Sequence, residues 1–458
     1  MSYDSAVAQL YELGHELART PTHKFDLAHM RVLLQPLGMP ERQFRSVLIA
    51  GTNGKGSTAA TLASILRAAG HRTGLYTSPH LVRINERIRI DAEPISDSDF
   101  TRAHDDVEAA VARLLDSGKL PWHPSFFEIL TAMAFLHFAR RRVHVAVLEV
   151  GMGGRLDATN VVDPLVSVIT DISLDHQKFL GNTVREIAGE KAGIIRPGGT
   201  VVTLPQHPEA NDVIGNTLLD RGARGVSAAP YVPPVSPGSP LETRHSESSE
   251  ESAVSGNQKL GTRNSYPLTV MGEEITVQSP LLGRHQFRNL ALAVATTVEL
   301  NDAGLHITPR DIERGIRETR WPGRFQIERR GSTDFVLDVA HNPAGAWALR
   351  SALSQRYQDR PLRFVFGAMR DKAISEMAEI LFPIAERVIA TRAENPRSAA
   401  AEEIRDAAAR TGAEIETAAT VAAAIQAARR LAPANAVVVI TGSIYVVGEA
   451  MQALGIAP

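Results

Sequence analysis

The chain has no cysteine among its 458 residues. Disulfides, thiolate zinc sites and a cysteine nucleophile are therefore excluded. It also lacks an excess of charge of either sign. Lys and Arg number 49 against 51 Asp and Glu, a formal net charge of -2. No basic field invites nucleic acid, and none is expected as a partner. No apolar run approaches the length of a membrane span. The first twenty residues carry Asp4, Glu12 and Glu16 and no continuous apolar core, so no signal peptide is expected. There is no convincing internal repeat. What is present is an ordinary globular composition, 44% hydrophobic and 22% charged, and a length that suits two or three domains. The expectation is a soluble, cytoplasmic protein that works on small molecules.

The most informative stretch reads SVLIAGTNGKGST, Ser46–Thr58. A short apolar strand ends abruptly at Gly51, a loop of Thr52, Asn53, Gly54, Lys55, Gly56 and Ser57 follows, and a helical pattern begins. This order makes a phosphate cradle. Glycines let backbone N–H groups turn inward, the helix N-terminus adds partial positive charge, and Lys55 brings a full one. The general P-loop pattern has a glycine five residues before Gly54 and a hydroxyl directly after the lysine. Here Ile49 and Gly56 occupy those places. A nucleoside triphosphate is the expected ligand, and a tight strand-to-helix turn with a surface lysine is the alternative.

Apolar runs alternate with helical patterns along most of the chain. Strands are expected at 47–50, 73–77, 145–150, 166–170 and 200–204, and in a second series at 335–339, 364–367, 388–391 and 436–441. Continuous apolar runs of this kind belong to parallel strands covered on both faces. The fold class is therefore α/β: a P-loop-containing, doubly wound, mostly parallel sheet domain followed by a smaller Rossmann-like α/β domain. The expected domains are 1–318 and 325–458, joined by a hinge at 319–324 whose Pro322 and Gly323 punctuate the chain. Pro230–Gln258 is rich in Pro, Ser, Gly and Glu and has no apolar period, so it reads as a mobile surface insertion.

Ligands in such sheets sit at the carboxyl ends of the strands. Several polar residues are expected on that edge. Glu149 ends a strand and precedes Gly151, Gly153 and Gly154, where it could hold Mg²⁺. Ser78 follows another strand, and Asp175 with His176 a third. Asp338, His341 and Asn342 do the same in the second domain. Asn289 starts a helical pattern, and Arg324 lies in the hinge. Each could equally be a cap, a turn or a salt bridge. Lys191, beside Glu190 on a helix, reads by local pattern as an exposed ion-pair partner.

Taken in order, GTNGKGS, TSPHL, SFFE, EVGMGGRLDATN, DHQKFLG, GEKAGI, WPGRFQ and DVAHNP form a series. It resembles the folylpolyglutamate synthase/dihydrofolate synthase family of the Mur ligase superfamily. The resemblance runs from about Asp26 to the end of the chain, apart from the insertion. It accounts for Ile49 and Gly56, because the family's loop reads GTNGKGS or GTNGKGT. It implies an ATP-dependent ligase that adds L-glutamate to dihydropteroate, to folates or to both through an acyl phosphate.

It also implies roles. Thr52, Asn53, Gly54, Lys55, Gly56 and Ser57 would line the ATP phosphates. Asn289, Arg324 and Asp338 would bind ATP, with His341 near its phosphates. Ser57, Ser78, Glu149, His176 and Lys191 would hold two Mg²⁺ ions. Lys191 would be carbamylated, which replaces the ion-pair reading. Asp26, Leu27 and Ala28, Ser125, Phe126, Phe127 and Glu128, and Leu156, Asp157 and Ala158 would form the pteroate or folate pocket. Ala28 departs from the family's glycine. Lys55, Lys191, His341 and Arg324 would carry the chemistry, in a monomer. A muramoyl amino-acid ligase is the nearest rival, but it needs a UDP-sugar region before the loop, where only about fifty residues stand against ~100 or more for a domain. A nucleotide-dependent binding switch is the rival of another class.

Overall fold

The computed structural model describes residues 1–14, 27–234, 264–430 and 435–458. Asp26 and most of Pro230–Gln258 lie outside the described residues.

The first sheet contains β1 (Arg45–Ala50), β2 (Thr73–Tyr76), β3 (Ile88–Ile90), β4 (Glu93–Pro94), β5 (Val145–Glu149), β6 (Val166–Ile169), β7 (Thr200–Thr203) and β8 (Arg224–Ser227). Its order is β4-β3-β2-β5-β1-β6-β7-β8. The six strands from β2 to β8 in that order are parallel, and β3 and β4 are antiparallel additions. β1 is inserted between β5 and β6, with its Ile49 level with Glu149 of β5. The chain passes from β1 to β2 on one side and later from β5 across β1 to β6 on the other, and such a reversal opens a crevice beyond the strand ends.

Side chains alternate across β1. Leu48 and Ala50 enter one core with the helix Phe126–Arg140. Val47 and Ile49 enter the other with the helices Lys55–Ala68, His285–Asp302 and Pro309–Glu318. These last three pack closely. A Cβ on Gly315 would stand 2.4 Å from the Cα of Ile65, and Ser64 Oγ donates to the Gly315 carbonyl at 2.7 Å. The helix that starts at the glycine loop is thereby fixed at its far end.

A hairpin of β9 (Asn264–Val270) and β10 (Glu273–Ser279) stands apart from both sheets. The second sheet holds β11 (Gln326–Arg330), β12 (Thr333–Leu337), β13 (Leu362–Phe366), β14 (Arg387–Ala390), β15 (Ile415–Thr417) and β16 (Val437–Thr441), in the order β11-β12-β16-β13-β14-β15. Only β11 is antiparallel. The strands expected from sequence coincide with these to within two residues. The short edge strands were not legible. β3 and β4 carry Arg89 and Glu93, and β9 contains Pro267, which suits only an edge.

The two sheets define two lobes. Between the helix ending at Glu318 and β11, the segment Thr319–Arg324 passes from one to the other. Trp321 of this segment covers the glycine loop, and Gly323 takes a left-handed φ of 69°. A Cβ on Gly448, in the helix Ile444–Leu454, would stand 1.9 Å from the Leu81 carbonyl oxygen of the first lobe. The lobes touch there through backbone, and a cavity of about 920 Å³ lies between their facing edges. No helix among the described residues is long and apolar enough to cross a membrane.

Candidate active site

Three glycines shape the loop, each for a different reason. Gly51 has φ 152°, and a Cβ there would lie 1.8 Å from Thr170 Oγ1. Gly54, the residue before the helix, has φ 87°, and its Cβ would meet Asn289 Oδ1 at 2.2 Å. A Cβ on Gly56 would meet the Trp321 ring at 2.9 Å. This explains both departures from the general loop. Ile49 is fully buried inside β1, where a core residue is needed, and Gly56 sits where only a hydrogen fits under the indole. The loop is tied down by Thr52 and Asn53, whose N–H groups donate to the Asp171 carbonyl at 2.7 and 3.2 Å. Asn53 Nδ2 also donates to Ser173 Oγ at 3.1 Å.

Two ammonium groups meet at one carbonyl of this loop. Lys55 Nζ donates to Gly51 O at 3.2 Å and to Thr52 O at 3.2 Å. Lys191 Nζ donates to Gly51 O at 2.8 Å. The ion-pair reading of Lys191 is corrected here. Lys191 is 4% exposed, and Glu190 pairs with Arg155 at 2.8 Å instead. The helix Val184–Ala192 turns position 191 toward the first sheet and position 190 outward. Burial, and then the Lys55 charge, push the Lys191 amine down to about 7. Loss of its proton near neutrality relieves both penalties.

Glu149, at the end of β5, is 5% exposed and accepts from the Ser78 N–H at 3.3 Å. His176 follows β6 with φ 52°. Burial, and then nearby Lys372, push its imidazole down to about 3, so it is neutral with a lone pair to offer. Ser57 is buried on the first turn of the helix. Among the described residues no three His, Asp or Glu side chains stand close enough to hold a metal by themselves. The donors are instead one carboxylate, one neutral imidazole and two hydroxyls facing a shared space. Such a sparse, oxygen-rich set suits Mg²⁺, which takes few protein ligands and completes its shell with phosphate oxygens and water.

The second lobe closes the cavity. Asp338 accepts the Phe325 and Ala340 N–H groups at 2.8 and 2.9 Å, and burial raises its pKa. Arg324 is half-buried with the Asp338 and Glu149 charges near it, and its Nη1 donates to Gly323 O at 3.2 Å. His341 Nδ1 lies 2.9 Å from Val339 O. Asn342 Nδ2 donates to Asn53 Oδ1 at 3.0 Å, which brings the second lobe directly onto the glycine loop.

Every expected site residue among the described ones lines this one cavity except Ala28 and Asn342. In the helix Leu27–Leu34, Leu27 and Met30 share the cavity face, and Ala28 lies a hundred degrees around and is exposed. Two expected pocket carboxylates are engaged locally. Glu128 accepts from Ser125 N and Oγ at 2.8 and 2.7 Å in a capping box. Asp157 is 7% exposed and caps its own loop through Met152 N and Thr159 N, each at 3.0 Å. Sequence reading missed Lys372, which follows β13. It lies beyond the carboxyl end of β13 as His341 lies beyond that of β12, so the same positional rule, applied to the run MRDK at 369–372, points to it.

Family models match both lobes: the Mur ligase middle domain over residues 49–218, and the Mur ligase, glutamate ligase domain, over residues 323–444. The dihydrofolate synthase/folylpolyglutamate synthase of Bacillus subtilis (strain 168) is 36% identical over 386 residues, covering 83% of this chain and 84% of that protein. The folylpolyglutamate synthase of Lacticaseibacillus casei is 37% identical over 383 residues, covering 83% of each. The solved Mycobacterium tuberculosis folylpolyglutamate synthase complexed with ADP and AMPPCP superposes with a TM-score of 0.85 at 32% identity, covering all of both chains.

Gly54→Ala forces a side chain into a left-handed position and against Asn289. It is expected to weaken binding of a non-hydrolysable nucleoside triphosphate by about tenfold or more, measured by titration calorimetry. Unchanged affinity would remove the loop from phosphate binding.

Proposed function

The chain belongs to the folylpolyglutamate synthase/dihydrofolate synthase family of Mur ligases, and on that premise we propose which of its residues carry the reaction. It is an ATP-dependent ligase that joins L-glutamate to dihydropteroate or folyl acceptors. The chemical problem is that a carboxylate is a poor acyl donor, because oxide would have to leave. Transfer of the γ-phosphoryl group onto it gives an acyl phosphate. The glutamate amine attacks that carbonyl carbon, the C–O bond to phosphate breaks, and the amide, ADP and phosphate remain. Phosphoryl transfer needs positioning and charge neutralisation more than covalent help.

The observation that carries the assignment is the convergence of Lys55 and Lys191 on the Gly51 carbonyl, at the edge that faces the second lobe. Thr52, Asn53, Gly54, Gly56 and Ser57 cradle the triphosphate, and Lys55 leaves its loop carbonyls for the phosphate oxygens. Arg324, half-buried beside the Asp338 and Glu149 charges, neutralises charge from the hinge side. Asn289 and Asp338 hold the nucleotide, with His341 beside its phosphates. Leu27, Ser125, Phe126, Phe127, Leu156 and Ala158 face the folate end of the cavity. Closure of the two lobes over the cavity limits the access of water to the acyl phosphate, and both walls come from one chain, which supports a monomer.

Ser57, Ser78, Glu149, His176 and Lys191 would hold the two Mg²⁺ ions, whose charge, when bound, offsets that of the phosphate oxygens. For Lys191 this needs a change of sign. The neutral amine adds to the carbon of CO₂ and loses a proton, and the buried cation becomes a carbamate. An amine with its pKa pushed to about 7 and buried at 4% exposure is suited to that step.

Two outcomes are expected. ADP release should require an acceptor and glutamate together, with dihydropteroate and tetrahydrofolate compared as acceptors. Release indifferent to both substrates would leave a nucleotide hydrolase, not a ligase. Lys191→Ala should be nearly inactive and partly restored by added short carboxylates. Near-wild-type turnover without them would remove the carbamate.

A further inference from the structure

Asp175 is a carboxylate with no task in the reaction as assigned above, yet the second lobe converges on it. Lys372 Nζ lies 2.6 Å from its Oδ1, and the two side chains are only 9% and 8% exposed. Asn342 Nδ2 approaches Oδ2 at 3.4 Å while donating to Asn53 Oδ1 at 3.0 Å. His341 Nε2 stands 3.7 Å from the same Oδ2. On the first-lobe side, Asp175 Oδ1 accepts the His176 N–H at 2.9 Å. Two residues earlier, Ser173 binds Thr52 and Asn53 of the glycine loop. One first-lobe carboxylate thus meets groups from two second-lobe loops, one after β12 and one after β13.

A buried ion pair adds little net stability over an apolar pair, because desolvation offsets attraction. What it does is penalise every arrangement in which either partner is buried alone. Here the partners come from different lobes, so the penalty falls on any altered lobe orientation that leaves one of them dry and unpaired. We propose that Asp175 and Lys372 are positioning residues, a pin that holds the second lobe shut over the glycine loop and so places His341 and Asn342. Neither needs to touch substrate. Their effect on turnover rests on the ligase reading, whereas their effect on lobe closure does not.

The test uses the absence of native cysteine. Leu219→Cys and Glu402→Cys, both at exposed positions of opposite lobes, carry a pair of spin labels on the full chain. Their distance distribution is narrow with Lys372 present. Lys372→Met should lengthen and broaden it, Lys372→Arg should keep it narrow, and an unchanged Lys372→Met distribution overturns the pin. In glutamate ligation, Lys372→Met should lower kcat by about a hundredfold, the scale of a misplaced catalytic group. Asp175→Asn combined with Lys372→Met removes both buried charges, so thermal stability should recover while the label distances stay broad and kcat stays low. Recovery of kcat along with stability would make the pair merely structural. A wild-type chain without acceptor-dependent ADP release would sink the ligase reading alone, since the label distances still decide the pin.

Discussion

The Gly51 carbonyl accepts from two lysines, and much of the surrounding structure follows from that crowding. Two ammonium groups held at one oxygen repel each other, and one of them is 4% exposed. Such an arrangement is relieved when anions arrive or when one amine gives up its proton. The Lys191 amine, pushed down to about 7, is poised for the second. The same spot sits at the end of β1, between Glu149 at the end of β5 and Thr170 just beyond β6. Phosphate, metal and carboxylate chemistry can share it because positive groups are in place before any ligand enters.

The loop itself has little freedom to vary. Thr170, Asn289 and Trp321 occupy the volumes that side chains on Gly51, Gly54 and Gly56 would need. Each neighbour belongs to a different part of the chain: the next strand of the sheet, a buried helix and the segment between lobes. A change at any of them alters the cradle. The two sheets divide the labour. The first carries the cradle, the acidic edge and the folate end. The second brings Asp338, His341 and Lys372 from the carboxyl ends of its own strands, so one topological rule supplies both walls.

Much of this was legible in the sequence because apolar parallel strands announce themselves and glycines mark close approaches. Ile49 and Gly56 depart from the general motif but match the family's loop, and packing gives each a physical reason. Lys191 could not be placed from its own helix. Its neighbour Glu190 suggested an ion pair, the family resemblance suggested a metal-site lysine instead, and the tertiary fold turns position 191 inward. Ala28 lies on another face of its helix from Leu27, a placement that the local sequence does not reveal. Lys372 was missed because nothing in its local run distinguishes it from a solvated lysine. Its meaning depends on Asp175, almost two hundred residues away, and pairing across lobes leaves no local trace.

The central claim is that this crevice activates a carboxylate by phosphorylating it. Dihydropteroate carrying ¹⁸O in both carboxylate oxygens tests it most directly, with the released phosphate analysed by mass spectrometry after turnover with ATP and glutamate. The account predicts one labelled oxygen in the phosphate and one retained in the amide. Phosphate free of label, released as product forms, would contradict it.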